Sequence, residues 1–208
     1  MRHVAIGLLL TASFALPATL GTTRPSADLT VVLDFKGPRS DKSISAMEKE
    51  AQGILKESGL QLDWRSLGEA ARDTFNDLAV IRFQGACVVR PLPEGDDELG
   101  PLGFTYTSDG KVLPFSVVEC DKVARSVRSA MRGVDFSKAE LLLGRALGRV
   151  VAHELVHVLT RSSEHGTEGV QKAALSGQQL IRNLLPLSPA DLARVREMHK
   201  SALAPQMR

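Results

Sequence analysis

Hydrophobic and polar positions change period along the chain, and the period marks the elements. Leu29, Val31, Leu33 and Phe35 alternate with Thr30, Val32, Asp34 and Lys36, the period-two pattern of a strand with at least one buried face. Gly37 and Pro38 break it. Ser40 or Asp41 can cap a helix in which Ile44, Met47, Ala51, Ile54 and Leu55 recur at helical spacing, and Gly59 ends it. Leu60, Leu62 and Trp64 then alternate again. A strand, a helix and a strand in succession predict a parallel strand pair joined by a crossover. Residues 66–75 have no decisive period and read as a short helix or a loop. A third strand is centred on residues 78–83 and ends near Cys87. Residues 103–107 and 111–119 flank Ser108, Asp109 and Gly110, which predicts a β-hairpin. Pro114 has no N–H to give to a ladder, so the second arm is predicted to be an edge strand. Asp121 can cap a helix through Ala124, Val127 and Met131, broken at Gly133.

The second half is helical. Ser137 and Glu140 make an S-x-x-E capping box, predicted to open a long helix that runs to about Leu159. Gly144, Gly148 and Ala152 follow at steps of four. A glycine inside a helix is worth about 1 kcal/mol less than alanine, so this bare face predicts close contact with another element. Leu143, Leu147, Val150, Val151, Leu155 and Val158 make the helix apolar enough to be buried on most sides. Ser176 and Gln179 form a second capping box, before a short helix with Leu180, Ile181 and Leu184. Ser188 and Pro189 open the last helix, with proline at its first position. Leu192, Val195 and His199 share one side of it.

Composition adds class and compartment. The chain has 208 residues, 43% hydrophobic and 24% charged, as in a folded soluble domain; one domain is predicted over residues 28–203. A net charge of +2 is too small a bias to argue for nucleic acid. Arg2 and His3 give a basic start, Val4 to Leu16 an apolar run, and Ala18, Thr19, Gly21 and Thr22 small residues behind it. That is the layout of a secretory signal peptide, taken as residues 1–21, with the cut between about Ala18 and Pro25. The run is too short to span a bilayer. Export to the periplasm or the exterior is expected, with no membrane attachment after cleavage. In an oxidising compartment Cys87 and Cys120, the only two cysteines, are expected to pair. Their bridge would close a loop of about 34 residues and contribute about 3–4 kcal/mol. The acidic run at Glu94, Asp96, Asp97 and Glu98 lacks EF-hand order and reads as a solvated loop.

The chemistry sits in the long helix, where His153, Glu154 and His157 spell H-E-x-x-H. Positions four apart lie about 40° apart around a helix and about 6 Å along it, so both imidazoles can aim at one point. Zinc accepts such nitrogens at about 2.0–2.1 Å. Glu154 can reach a water at the metal without being a ligand. A third ligand is needed. Glu164, Glu168, Asp191 and Glu197 are the downstream acids, and His165 is the downstream histidine. His199 reads as a packing histidine. Arg145 and Arg149 share the His153–His157 face and read as ion-pair partners rather than substrate contacts. Tyr106 can be a donor to a reacting group, but its apolar hairpin places it in the core.

H-E-x-x-H, seven residues, His165, and then the pair Gly169 and Val170 together resemble a group of secreted bacterial metzincin-like zinc metallopeptidases related to matrixins. The resemblance is tightest over residues 148–172 and looser over the first strand–helix–strand and the hairpin. It implies an α+β fold: a small mixed twisted sheet packed on an N-terminal helix and a long active-site helix, with further helices at the C-terminus. It implies His153, His157 and His165 as ligands of one Zn2+ and Glu154 as general base. It also implies hydrolysis of peptide bonds in a peptide or protein substrate, by an endopeptidase, with the substrate lying as an added strand along residues 111–118. Four positions depart from the family pattern. Val156 stands where relatives often have glycine, and Arg161 where the turn glycine falls. Ser163 occupies the strict position of the third histidine, and Gln171 that of the Met-turn methionine. The alternative is a secreted zinc-binding protein of the same fold without peptidase activity. The plainest reading is an exported fold with no metal.

Overall fold

The computed structural model describes residues 28–90, 100–131 and 136–203; the signal segment, the acidic run at 94–98 and the break at Gly133 lie outside them. The elements are β1 (Leu29–Phe35), α1 (Asp41–Leu55), β2 (Leu62–Ser66), α2 (Leu67–Ala70), β3 (Leu78–Gln84), β4 (Gly103–Ser108), β5 (Lys111–Glu119), α3 (Cys120–Ala130), α4 (Ala139–Thr160), α5 (Gly177–Ile181) and α6 (Pro189–Leu203). Five strands form one mixed sheet in the order β2-β1-β3-β5-β4. β1 pairs in parallel with β2 and β3, β3 in parallel with β5, and β4 runs antiparallel to β5. The fold class is therefore α+β, and the parallel pair expected from the first strand–helix–strand is present. Val31, Leu33, Ile81, Phe83 and Val118, on the sheet face toward α4, belong to one core with Met47 and Leu55 of α1 and Leu143, Leu147, Val151 and Leu155 of α4. No helix among the described residues is long and apolar enough to cross a membrane.

Pro114 does not make β5 an edge. β5 lies between β3 and β4, and β4 is the edge strand. The proline is tolerated because neither ladder needs its N–H. Pairing with β3 begins only at Phe115, and on the other side the register shifts between Thr105, opposite Ser116, and Thr107, opposite Val112. Pro114 sits in that bulge, where a ladder bond is missing anyway.

Helix starts follow local chemistry at α2 and α5 but not at α1, α3 and α4; at α1, Ser40 takes the N-cap position without a side-chain cap bond. Residues 66–75 resolve into the one-turn α2, opened by a capping box of Ser66 and Glu69, and α5 opens with the expected box of Ser176 and Gln179. α4 does not start on the Ser137–Glu140 box. A 3-10 turn over Phe136–Lys138 leads in, and Lys138 takes the N-cap position without a side-chain cap. The Glu140 carboxylate instead accepts from the Ser40 hydroxyl at 2.5 Å and pairs with Lys42 at 3.6 Å, so it ties the starts of α1 and α4 together. Asp121 lies inside the first turn of α3 and accepts from the Ala86 N–H at 3.1 Å. Leu184 falls beyond α5 and is exposed. Tyr106 is 44% exposed and stacks edge-on against Phe104 at 5.2 Å; an edge strand offers its outer face no cover, so it is not core.

The bare face of α4 lies against α1. A Cβ on Gly144 would come within 2.5 Å of the Ala46 Cβ, and one on Gly148 within 2.6 Å of the Met47 carbonyl oxygen. The neighbours there are α1 backbone and Cβ atoms, which cannot swing away. Gly148→Ala is therefore expected to destabilise the fold by about 1–3 kcal/mol, although alanine gains about 1 kcal/mol in helix propensity. Gly53 on α1 has nothing within 4 Å of its missing Cβ, so Gly53→Ala should stabilise by about that propensity gain. Urea unfolding of both variants would check the opposed signs. Beside the seam, Arg149 is wholly buried, pairs with Glu50 at 2.8 Å and donates to the Gln179 carbonyl at 2.6 Å. Arg145 donates to the Ile181 carbonyl at 2.8 Å. Both arginines tie helices together.

Candidate metal centre

α4 carries His153, Glu154 and His157 into the middle of the molecule, with Glu154 3% and His157 6% exposed. The helix ends at Thr160, and Arg161 takes the left-handed C-cap conformation at φ 50°. Glycine is the usual residue there; arginine holds it while the Ser162 N–H returns to the His157 carbonyl at 3.2 Å. The chain thereby doubles back, and His165 reaches the two helical histidines. Each of His153, His157 and His165 offers a nitrogen within 4.8 Å of the others. Among the described residues this is the only cluster of three or more such side chains able to hold a metal ion. The four downstream acids stay out of it. Glu164 pairs with Arg194 at 3.4 Å, and buried Asp191 is held by the Ser188 hydroxyl and by Arg194, each at 2.6 Å. His199 lies 3.9 Å from Asp28.

The imidazoles are oriented from behind. His153 Nδ1 lies 2.9 Å from the Val170 carbonyl oxygen, and His157 Nδ1 lies 2.7 Å from that of Ser162. A carbonyl oxygen only accepts, so both Nδ1 atoms must carry the proton. Each Nε2 is then a bare acceptor, yet the two stand 3.1 Å apart. Two lone pairs at that distance repel unless a cation sits between them. Tetrahedral bonds of about 2.0–2.1 Å would set neighbouring nitrogens about 3.3–3.4 Å apart, close to the observed spacing. His165 is exposed and stands at the wider side of the triangle. Burial, reinforced by the neighbouring imidazoles, pushes His153 down to about 4, and burial also holds His157 below its ordinary value. Both are neutral at pH 7, so capture of a metal there needs no proton to leave them.

The residues behind the histidines explain the Gly169–Val170 pair. Gly169 adopts φ 66°, and a Cβ there would lie 2.6 Å from the Pro186 carbonyl oxygen. The Val170 N–H donates to that oxygen at 2.9 Å, which leaves the Val170 carbonyl to face His153. Gln171 is wholly buried, with its amide nitrogen 3.2 Å from His157 Nε2 and 3.4 Å from Nδ1. Its carbonyl oxygen is buried without a hydrogen-bond partner. The amide thus donates toward the lone pair that a metal needs, while its own acceptor goes unmet. Gln171→Met is expected to tighten metal binding by roughly tenfold or more and to stabilise the metal-free fold by about 1 kcal/mol. Competition against a chromophoric chelator reads the first effect, and weaker binding in the variant would mean that Gln171 supports the site.

Glu154 points from α4 toward the hairpin. The Thr105 hydroxyl donates to its Oε2 at 2.7 Å and stands 2.8 Å from the Ser116 hydroxyl. Burial raises the Glu154 carboxyl to about 7, with the Thr105 hydrogen bond opposing part of the rise. Gly103 lets β4 approach: a Cβ there would lie 2.9 Å from Glu154 Oε1 and from the Val117 carbonyl. Neither Thr105 nor Gly103 stood out in the sequence: the alternation that argued for Tyr106 in the core put its neighbour Thr105 on the opposite face, and the structure has the two faces the other way round. A cavity of about 930 Å³ opens over the three histidines and Glu154, bordered by β4, α3 and residues 172–178.

No protein-family model and no curated protein sequence matches this chain. The functional reading therefore rests on the residues of the site. Cys87 and Cys120 do form a disulfide, 33 residues apart in the chain, as the expectation of an oxidising compartment requires.

Proposed function

We propose that the chain is an exported zinc-dependent peptidase of metzincin type, an endopeptidase that hydrolyses peptide bonds with Glu154 as general base. The observation that carries this reading is the pair of unprotonated Nε2 atoms facing each other at 3.1 Å, with the Glu154 carboxylate lining the same open cavity. Three histidine nitrogens and no carboxylate or thiolate suit zinc with an open position. His153, His157 and His165 would hold it; when bound, it supplies Lewis acidity toward a carbonyl oxygen and lowers the pKa of water. Glu154 takes a proton from the attacking water as its oxygen bonds to the carbonyl carbon, then gives that proton to the leaving nitrogen as the C–N bond breaks. Thr105 holds the carboxylate toward the cavity. The peptide runs along β4 rather than along β5, because β4 is the sheet edge, no strand among the described residues pairs with its other side, and it borders the cavity.

A second reading, a zinc-binding protein without turnover, is favoured by the amide of Gln171 beside His157. Zinc content and cleavage of unstructured peptides by the purified mature chain separate the two. A single zinc ion per chain is expected, with cleavage that a chelator stops and added zinc restores. Zinc without cleavage would favour the second reading, and a chain that takes up no zinc would remove both.

A further inference from the structure

The cavity has a charge that hydrolysis itself does not require. Its far wall is α3, whose Val123, Ala124 and Val127 enter the core while Lys122, Ser126 and Ser129, at helical spacing, face the cavity. Lys122 and Arg125 on this wall and Lys172 at the rim give three side-chain cations. Glu154 is the only acid among the described lining residues, and it is already assigned to proton transfer. Arg125 has a contact of its own. Lys122 and Lys172 have no ion-pair partner among the described residues. Lys172 is exposed, so solvent screens it. Lys122 is half-buried, and its Nζ would lie 2.9 Å from a Cβ on Gly100. Gly100 is three residues from Gly103, the residue against Glu154, so at most about 11 Å of chain separates the two places. A half-buried cation on the wall of this cavity has no counter-charge among the described residues, and the substrate can bring one.

Resting on the peptidase reading, we propose that this cavity selects a substrate carboxylate beside the scissile bond, with Lys122 as the selecting cation and Lys172 attracting at the rim. Two sources have this chemistry: the side chain of Asp or Glu, and the terminal carboxylate of a peptide that ends in the cavity.

Binding to the zinc-loaded Glu154→Gln chain tests the subsite without turnover. The probes are peptides that differ only in Glu against Gln at one position, each with a free or an amidated C-terminus. A charged hydrogen bond in a partly screened site should favour the matching carboxylate by roughly ten- to a hundredfold. Preference for Glu identifies the side chain as the source, and preference for the free terminus identifies the chain end. In the same background Lys122→Met should abolish the preference at unchanged zinc content, Lys122→Arg should keep it, and Lys122→Glu should turn it toward Lys-containing peptides. Equal binding of charged and neutral probes, no binding of any probe, or a preference that survives Lys122→Met would overturn the proposal. Carboxylate-selective binding by a parent chain that cleaves nothing would sink the peptidase reading and leave the subsite standing.

Discussion

Glu154→Gln is expected to keep the metal and lose the chemistry. Glutamine has the shape of glutamate, so the Thr105 hydroxyl still meets an oxygen where it now meets Glu154 Oε2 at 2.7 Å. The amide removes only the ability to take a proton from water. General-base assistance is worth roughly a hundred- to ten-thousandfold, so kcat/KM for peptide cleavage should fall by about that much. Zinc stoichiometry should not move, because Glu154 is beside the three-histidine cluster and not part of it. Melting should be no lower than for the parent, since a carboxyl that burial pushes up to about 7 is replaced by a neutral group. A variant that cleaves at the parent rate would remove Glu154 from the mechanism; one that loses zinc as well would make it structural.

His165→Ala is the second large effect, and it acts on the metal. His165 is exposed, and it closes the triangle from outside the helix. Partners behind ligands are worth about 10–100-fold in metal affinity; loss of a ligand should exceed that, so a fall of more than about a hundredfold is expected. His153 and His157 keep their carbonyl partners, so the metal-free variant should unfold near the parent. Equilibrium dialysis against buffered zinc, beside a urea titration, reads both. Unchanged affinity would leave a two-histidine site and end the comparison with metzincins.

Much of this site was legible because its determinants are local. H-E-x-x-H, the spacing to His165 and the Gly169–Val170 turn are written within one stretch, and helix geometry converts their spacing into direction. The bare face of Gly144 and Gly148 was equally readable, since a glycine repeat inside a helix has few uses other than close approach. The failures lie where a distant element decides. Pro114 argued for an edge, but a bulge between β4 and β5 absorbed its missing N–H, and the sheet edge is β4. The Ser137–Glu140 box lost its glutamate to Ser40 and Lys42, a competitor that no local pattern reveals. Thr105 holds Glu154 from 49 residues away, and the single tyrosine expected in the core turned out to be exposed because it lies on the β4 face opposite Thr105.

That difference in range sets an order of assembly. His153 and its carbonyl partner are 17 residues apart, and His157 and its partner 5. Glu154 and Thr105 are 49 apart, and Arg149 and Glu50 99. Short loops close first, and distant pairings wait for the rest of the topology. The three histidines can therefore come together from the helix and the turn behind it while β4 is still undocked. The base acquires its buried setting only when the hairpin arrives. On the peptidase reading proposed above, ion capture would precede hydrolytic competence, and an unfinished chain would be spared from cutting itself.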